Sequence, residues 1–388
     1  MRLRQQLAAY SPVGPGHALA ALTARSDAEA DVVRHLRSRY RAEHVELYGS
    51  GTQALQMALT LAMRIKGGTE VALPAFGCYD LASAAVGAGA DVRLYDLDPS
   101  TLAPDIESLS ASLRAGAAIA VVTPLYGMAV PWEQIAHVAG VHGCLLIEDA
   151  AQGFGTTWHG QNLGELGPIS VLSFGRGKGW TCGGGGALLL RDGMEHPHSV
   201  PVGRRRLRRT ASILAQWALA RPDVYGLPAS IPALGLGQTV YHAPSPPRRL
   251  GPDGMAVLRS TQNDALAEVE RRQRNASLLL EQLEDADIDH YREPPGCVAG
   301  WLRLPIRMRG PTREVMLNEG RALGVAPSYP TPLDQVEALV PRLAGARQPI
   351  HGATLLSREL ITLPTHSLLS ERDLMRLSEL IRRMARAG

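Results

Sequence analysis

Val171-Leu172-Ser173-Phe174-Gly175-Arg176-Gly177-Lys178, with four glycines following at Gly183–Gly186, is the stretch on which the reading of this chain turns. VLSF reads as a buried strand, and the lysine after it is ringed by glycines instead of lying on a helix face. Ordering so long a side chain there costs conformational entropy, with no apolar surface for its stem to cover. An amine that must form a Schiff base has no substitute in arginine, which cannot be deprotonated. Composition sharpens the point. Of 40 basic residues only Lys66 and Lys178 are lysine; the other 38 are arginine. Lys66 precedes Gly67-Gly68 at the end of a helical pattern, where a cation suits the helix C-terminus.

Outward from that strand, residues 44–190 alternate short apolar runs with helical periodicity. HVELY (44–48), EVALP (70–74), DVRLYDL (91–97), AIAVVTPL (118–125), CLLIED (144–149), VLSF (171–174) and GALLL (186–190) read as strands. Helices are predicted between them: one carrying Leu55, Ala58, Leu59 and Met63, a short one closed by Gly89, and two over about 104–114 and 131–142. Nearly all-apolar strands alternating with helices imply an α/β fold, its mostly parallel sheet covered on both faces. The 388 residues, 45% hydrophobic and 20% charged with net charge +3, exclude a disordered or collagen-like chain and give no global nucleic-acid signal. Cys78, Cys144, Cys182 and Cys297 lie far apart with no C-x-x-C, so reduced thiols in a cytoplasmic protein are expected, without a metal site. No run reaches membrane-span length, and the N-terminal residues lack the apolar core of a secretory signal.

Residues 193–250 break the rhythm with His196-Pro197-His198, five arginines between Arg204 and Arg209, and the short apolar ASILAQWALA. Arg204–Leu219 is expected to be a helix packed on its own domain with solvated arginines; the alternative is an interfacial helix on a membrane surface. A long helix is predicted over 253–284, short strands within Gly300–Ile306, and a proline-bounded turn at Ser328–Leu333. The last helix opens with Ser370 as N-cap and Asp373 at N3. The expected division is a large α/β domain over 1–245, carrying an irregular insertion at about 193–250, and a small α+β domain over 246–388.

Several common sites are absent. Leu172 and Gly179 break a phosphate-loop pattern around Gly177-Lys178, Val92 breaks a dinucleotide fingerprint after Gly87-Ala88-Gly89, and no G-x-S-x-G occurs. His196 and His198 have no further ligand nearby and read as a polar turn. Two segments join the lysine stretch as candidates. Tyr48-Gly49-Ser50-Gly51-Thr52 lets backbone N–H groups at a helix N-terminus approach an anion such as a phosphate. Glu148-Asp149-Ala150-Ala151-Gln152 lies at the carboxyl end of an apolar strand, where ligands of open α/β sheets collect. Asp149 there either meets a cationic partner or caps the helix that follows.

Together GSGTQAL, EDAAQ and SF-x-x-x-K followed by a glycine pair resemble the DegT/DnrJ/EryC1/StrS family of pyridoxal-phosphate (PLP) enzymes, mostly sugar aminotransferases. Asp149 and Lys178 are separated by 29 positions. The likeness is strong over about 40–190 and weaker through RRLGPDGMAVL, SYPTPL and LPTHSLLS. It implies fold type I, the aspartate-aminotransferase fold, with a mixed seven-stranded sheet, and a homodimer whose active sites are shared across the interface. It also implies residue roles. Lys178 would bind the cofactor aldehyde and move the substrate proton, and Asp149 would pair with the pyridine nitrogen. Gln152 would lie near the ring. The Ser50 turn, through backbone donors at Gly51 and Thr52, and the Ser173 hydroxyl would hold the phosphate.

Departures from the family pattern cluster on the substrate side. The usual aromatic ring over the cofactor is replaced after Pro74-Ala75-Phe76-Gly77 by Cys78, with Tyr79 next to it as the other candidate for that role. The acid of G-[DE]-G-G is missing from Gly183–Gly186, Gly167-Pro168 replaces a Gly-Asp, and Pro247-Arg248-Arg249 keeps only the arginine of N-x-R, so Arg249 is the expected cross-subunit phosphate ligand. The reaction expected is ping-pong transfer of an amino group from a donor, glutamate by family habit, to a keto acceptor such as a nucleotide-linked sugar. Other α-carbon chemistry, dehydration or aromatisation, is the alternative within enzymes. A non-catalytic cofactor- or sugar-binding partner at a membrane-associated complex is the alternative outside them.

Overall fold

The computed structural model describes residues 4–24, 28–194, 200–203, 206–229 and 239–387; His196, His198, Arg204 and Arg205 lie outside them. Helices α1 (Pro15–Leu22) and α2 (Ala28–Tyr40) lead into β1 (His44–Tyr48), α3 (Gly51–Lys66), β2 (Glu70–Pro74), α4 (Asp80–Ala88) and β3 (Asp91–Tyr95). Then come α5 (Ile106–Arg114), β4 (Ile119–Val122), α6 (Trp132–Val141) and β5 (Leu145–Asp149). A short hairpin, β6 (Thr157–Trp158) and β7 (Gln161–Asn162), precedes β8 (Ile169–Ser173) and β9 (Gly186–Leu190).

Seven of these strands form one sheet in the order β1-β9-β8-β5-β4-β2-β3, in which β9 alone opposes its neighbours. All seven strands predicted from the sequence are present. Alternating side chains feed two apolar layers: Ile119 and Val121 of β4 pack with Leu55 and Leu59 of α3, while Ala120 and Val122 join Leu109 of α5 and Ile135 of α6. That double burial is why the strands read as unbroken apolar runs. Ser50 caps α3 by accepting from Gln53 N at 3.1 Å, and Gly67 closes it in the left-handed region at φ 68°. Lys66 Nζ donates to the Gly143 carbonyl at 2.8 Å.

The insertion contains α7 (Arg206–Leu219) and α8 (Pro222–Ala229). Its arginines do not form a uniformly solvated face. Arg209 turns inward, with Nε 2.7 Å from Asp253 Oδ2 and Nη1 donating to the Cys182 and Gly184 carbonyls at 2.6 and 2.7 Å. Leu207 and Trp217 of the same helix stay exposed. Among the described residues no helix is long and apolar enough to cross a membrane.

The helix predicted over 253–284 is interrupted, giving α9 (Pro252–Ser260) and α10 (Gln262–Asp285). The Thr261 hydroxyl at the junction donates to the Thr181 carbonyl at 2.7 Å, and such side-chain-to-backbone bonds compete with helix continuation. Beyond it, β10 (Cys297–Val298) pairs with β6; β11 (Leu304–Arg307), α11 (Gly310–Gly320), β12 (Ala326–Pro327), α12 (His351–Glu359), β13 (Leu360–Leu363) and α13 (Glu371–Ala387) follow. A small antiparallel sheet has the order β11-β13-β12. Ser370 and Asp373 form the reciprocal cap at the start of α13, with Asp373 N 3.2 Å from Ser370 Oγ and Ser370 N 3.1 Å from Asp373 Oδ2. Arg4 grips the same Asp373 through two 2.7 Å bonds, tying the N-terminal segment to the last helix. In the opposite direction, Leu333 N donates to the Ala75 carbonyl at 2.8 Å, so the segment before α12 returns to the large sheet.

Candidate active site

The carboxyl ends of β5 and β8 and the N-terminus of α3 converge on one place. β5 ends in two acids that face opposite ways, because adjacent strand residues alternate sides. Glu148 is fully buried and accepts from the backbone N–H groups of Gly164, Leu166 and Gly167, and from the Ser170 hydroxyl. It is a structural anchor for the loop before β8. Asp149, 7% exposed, faces the site; its Oδ1 accepts from Ala151 N at 3.1 Å, and Thr123 Oγ1 lies 3.5 Å from Oδ2. Burial pushes the Asp149 carboxyl up to about 6, opposed first by the charge of Lys178.

Lys178 sits on the loop after β8. Its carbonyl accepts from the Ser11 hydroxyl, and its N–H donates to the Gly175 carbonyl at 3.4 Å. A Cβ built on Gly175 would be 3.6 Å from the Ser173 hydroxyl and 3.8 Å from Lys178 Cγ, so the base of the lysine side chain and that hydroxyl lie beside the same glycine. Cys78, the residue after Gly77, is also within the reach of the Lys178 charge. Burial lifts its thiol to about 12, and Asp80, whose Oδ2 is 3.4 Å from Sγ, adds to the rise. Tyr79 points elsewhere: its ring belongs to the apolar layer with Leu81 and Leu333, and its hydroxyl pairs with Thr331 Oγ1 at 2.6 Å.

Gly51 abuts Ser173. A Cβ at Gly51 would lie 2.7 Å from Ser173 Cβ and 2.8 Å from its hydroxyl, so only glycine lets the first turn of α3 approach the end of β8 this closely. The first-turn N–H groups of Gly51 and Thr52 have no partner within the helix itself. With the Ser173 hydroxyl they make a cradle of the kind that takes a phosphate. Ser50 spends its hydroxyl on the helix cap. Gln152 Oε1 accepts from Tyr126 N at 3.0 Å and its Nε2 donates to the Tyr329 hydroxyl at 2.9 Å. Arg249 lies beside the edge strand β1, 2.5 Å from Glu29 and 3.7 Å from Glu46, outside this cluster.

Several participants were not read from the sequence. Thr123 and Tyr126 follow β4, and Tyr126 adopts φ 59°, unusual for a non-glycine residue and a mark of a constrained loop. Tyr329 stacks on Tyr126 at 6.3 Å and meets Phe76 edge-on at 5.3 Å. Asp80, beside the Cys78 thiol, completes the set. The one available signal was position: Thr123 and Tyr126 follow an apolar strand end, as Asp149 does.

This donor set fits pyridoxal phosphate. An anion cradle, a buried carboxylate with a free edge, and a lysine close enough to influence that carboxylate stand together, and the cradle is one that a Cβ at Gly51 would fill.

The sheet order is that of fold type I, the fold of PLP-dependent aminotransferases. Solved structures agree. A DegT DnrJ EryC1 StrS aminotransferase from Brucella abortus superposes with TM-score 0.73 at 23% identity, covering 95% of both chains. A 3-amino-5-hydroxybenzoic acid synthase superposes with TM-score 0.76 at 20% identity, over 99% of this chain and 100% of that one. Residues 26–201 match the model of the DegT/DnrJ/EryC1/StrS aminotransferase family. Over 160 residues the chain is 32% identical to a 3-amino-5-hydroxybenzoate synthase of Amycolatopsis mediterranei (strain S699), 41% of each chain being covered. It is 33% identical over 165 residues to an L-glutamine:2-deoxy-scyllo-inosose aminotransferase of Streptomyces kanamyceticus, covering 42% of this chain and 38% of that one. The chain thus matches about two fifths of the length of these two curated relatives. A UDP-N-acetyl-3-dehydro-alpha-D-glucosamine 3-aminotransferase of Acidithiobacillus ferrooxidans is 27% identical over 336 residues, 86% of this chain and 82% of that one.

Proposed function

We propose that this protein is a PLP-dependent aminotransferase that carries an amino group from an amino-acid donor, glutamate first among them, to a keto acceptor of the nucleotide-sugar or cyclitol kind. The observation carrying this reading is the convergence of Lys178, Asp149 and the Gly51–Ser173 cradle at the carboxyl end of one sheet. When bound, pyridoxal phosphate supplies an aldehyde that captures amines and a ring that draws electrons from the reacting carbon. Asp149 would hold the ring nitrogen; a cation beside a buried carboxylate favours its ionised form, reversing the effect of burial. The Gly51 and Thr52 amides and the Ser173 hydroxyl hold the phosphate, so binding energy remote from the reacting carbon orients it. Gln152, fixed between Tyr126 and Tyr329, borders the ring. Lys178 would be the amine that holds the cofactor through its aldehyde and, once freed, would carry the substrate α-proton. The working unit is a homodimer, to which Arg249 contributes a phosphate contact across the interface.

Cys78, where the family places a ring, favours a second reading in which the same apparatus performs other α-carbon chemistry, because a smaller side chain leaves the cofactor face less constrained. One experiment separates the two. Holoenzyme mixed with glutamate and no acceptor should lose the cofactor's visible absorbance and release 2-oxoglutarate. Unchanged absorbance and no keto acid with any of the common amino donors would overturn the aminotransferase reading.

A further inference from the structure

Helix α7 is held to the body of the protein along one side. Arg209 reaches Asp253 and the Cys182 and Gly184 carbonyls. Ile213 is fully buried against the glycine run, its Cγ1 3.2 Å from where a Cβ on Gly183 would stand. Arg206 Nη2 donates to the Ala24 carbonyl, just past α1, at 2.8 Å. These contacts fix the rotation of α7 and so the face it turns outward. That face is apolar. Leu207, Ala211, Leu214 and Ala218 recur at i, i+4, i+7 and i+11, which places them on one stripe, and all four are exposed. Trp217, one turn beyond Leu214, is exposed as well. The outward face of a surface helix ordinarily carries charged and polar side chains, and this stripe has none. α1, packed against α7, leaves Leu19 and Leu22 exposed too. Charge in this part of the chain has one sign: residues 196–222 hold six arginines and no acid, and Arg208 is exposed next to Leu207. Acids on the neighbouring elements already face cations. Asp253 meets Arg209, Asp223 lies 3.6 Å from Arg4, and Asp264 lies 3.3 Å from His17.

We propose that α7 lies on the surface of an anionic membrane, with the Leu207–Leu214 stripe and Trp217 sunk where headgroups meet acyl chains. The arginines around it would meet lipid phosphates. A helix with Leu and Trp on one face and arginines beside them binds in this way, through buried apolar area together with attraction to anionic lipid. A second copy of the chain fits this face less well, because a two-fold contact sets the patch on itself, arginine against arginine. Among the described residues no helix can span a bilayer, so the contact is with one leaflet. The proposal stands apart from the aminotransferase reading, since it uses none of the residues assigned to the cofactor.

Tryptophan fluorescence gives a local readout. Trp132, Trp158, Trp180 and Trp301 are buried, which leaves Trp217 as the exposed one of the chain's five. The holoprotein is mixed with vesicles of phosphatidylcholine and phosphatidylglycerol in equal parts, their acyl chains brominated so that they quench an indole on contact. Emission should fall in wild type and stay constant in Trp217→Phe, which should still float with the vesicles. In flotation, Leu207→Asp combined with Leu214→Asp should lower partitioning by at least about tenfold, as lost burial of two leucines implies. Arg208→Gln should lower it roughly fivefold, the share of one cation near an anionic surface. All three positions are exposed, so thermal unfolding should be unchanged in these variants. Wild type that does not float with anionic vesicles would overturn the proposal. So would partitioning that ignores the double substitution, or quenching that survives in Trp217→Phe. A wild-type oligomer that the double substitution splits in sedimentation, without vesicle binding, would overturn it by assigning the stripe to a second copy.

Discussion

Gly51 on α3 and Ser173 at the end of β8 are packed so tightly that a methyl on Gly51 would sit 2.7 Å from Ser173 Cβ. The pair joins a helix N-terminus to a strand end, and the anion cradle exists only because of that approach. Gly51→Ala should therefore weaken PLP binding by at least about tenfold, although alanine is the better helix former by ~1 kcal/mol. Equilibrium dialysis measures the affinity and thermal unfolding of the apoprotein measures the fold. Unchanged affinity would remove the cradle from the account.

Asp149 supplies a prediction with a defined sign. In the folded apoprotein its pKa is raised from 3.8 to about 6, so between those values the native state binds more protons than the unfolded chain. Stability contributed by this group is present below about pH 4 and falls as pH rises through 6. Asp149→Asn removes that loss, and near pH 7 the apo variant should be more stable than wild type by roughly 3 kcal/mol at 1.36 kcal/mol per unit. The same variant should lose activity by roughly 10²–10³-fold, the range for removing one preorganised electrostatic partner. Denaturant melts from pH 4 to 8 check the first effect and steady-state rates the second.

Arg209 and Asp253 form an ion pair at 2.7 Å with side chains only 12% and 5% exposed, and the arginine also holds the carbonyls of Cys182 and Gly184. It fastens the glycine run that follows Lys178. Arg209→Met leaves a buried carboxylate uncompensated and should destabilise the protein by about 3–5 kcal/mol. Adding Asp253→Leu should restore a large part of that loss, which denaturant titration of the single and double variants would report.

The seven main strands were legible because each is buried on both faces and so writes a continuous apolar run. Asp149, Lys178 and the Gly51 turn were legible because they lie at strand ends, at spacings that glycine and an otherwise avoided lysine mark out. Local patterning could not show the break at Thr261, where a hydroxyl bonds to a carbonyl 80 positions away in the chain. Arg209 reads as one of five neighbouring arginines, and only packing against Asp253 sets it apart. Tyr329 and Thr331 come from a segment remote in sequence, delivered beside Gln152 and Tyr79 by the return of the chain to the large sheet. Their roles depend on contacts, and a single sequence records residues without their partners.

The central claim is that Lys178 carries the amine chemistry. A chain with two lysines allows an unusually direct test: reconstitute with PLP, reduce with borohydride, digest, and locate the pyridoxyl label by mass spectrometry. The label should fall on Lys178 alone and vanish when glutamate is added before reduction. Label on Lys66, or label on Lys178 that glutamate leaves untouched, would contradict it.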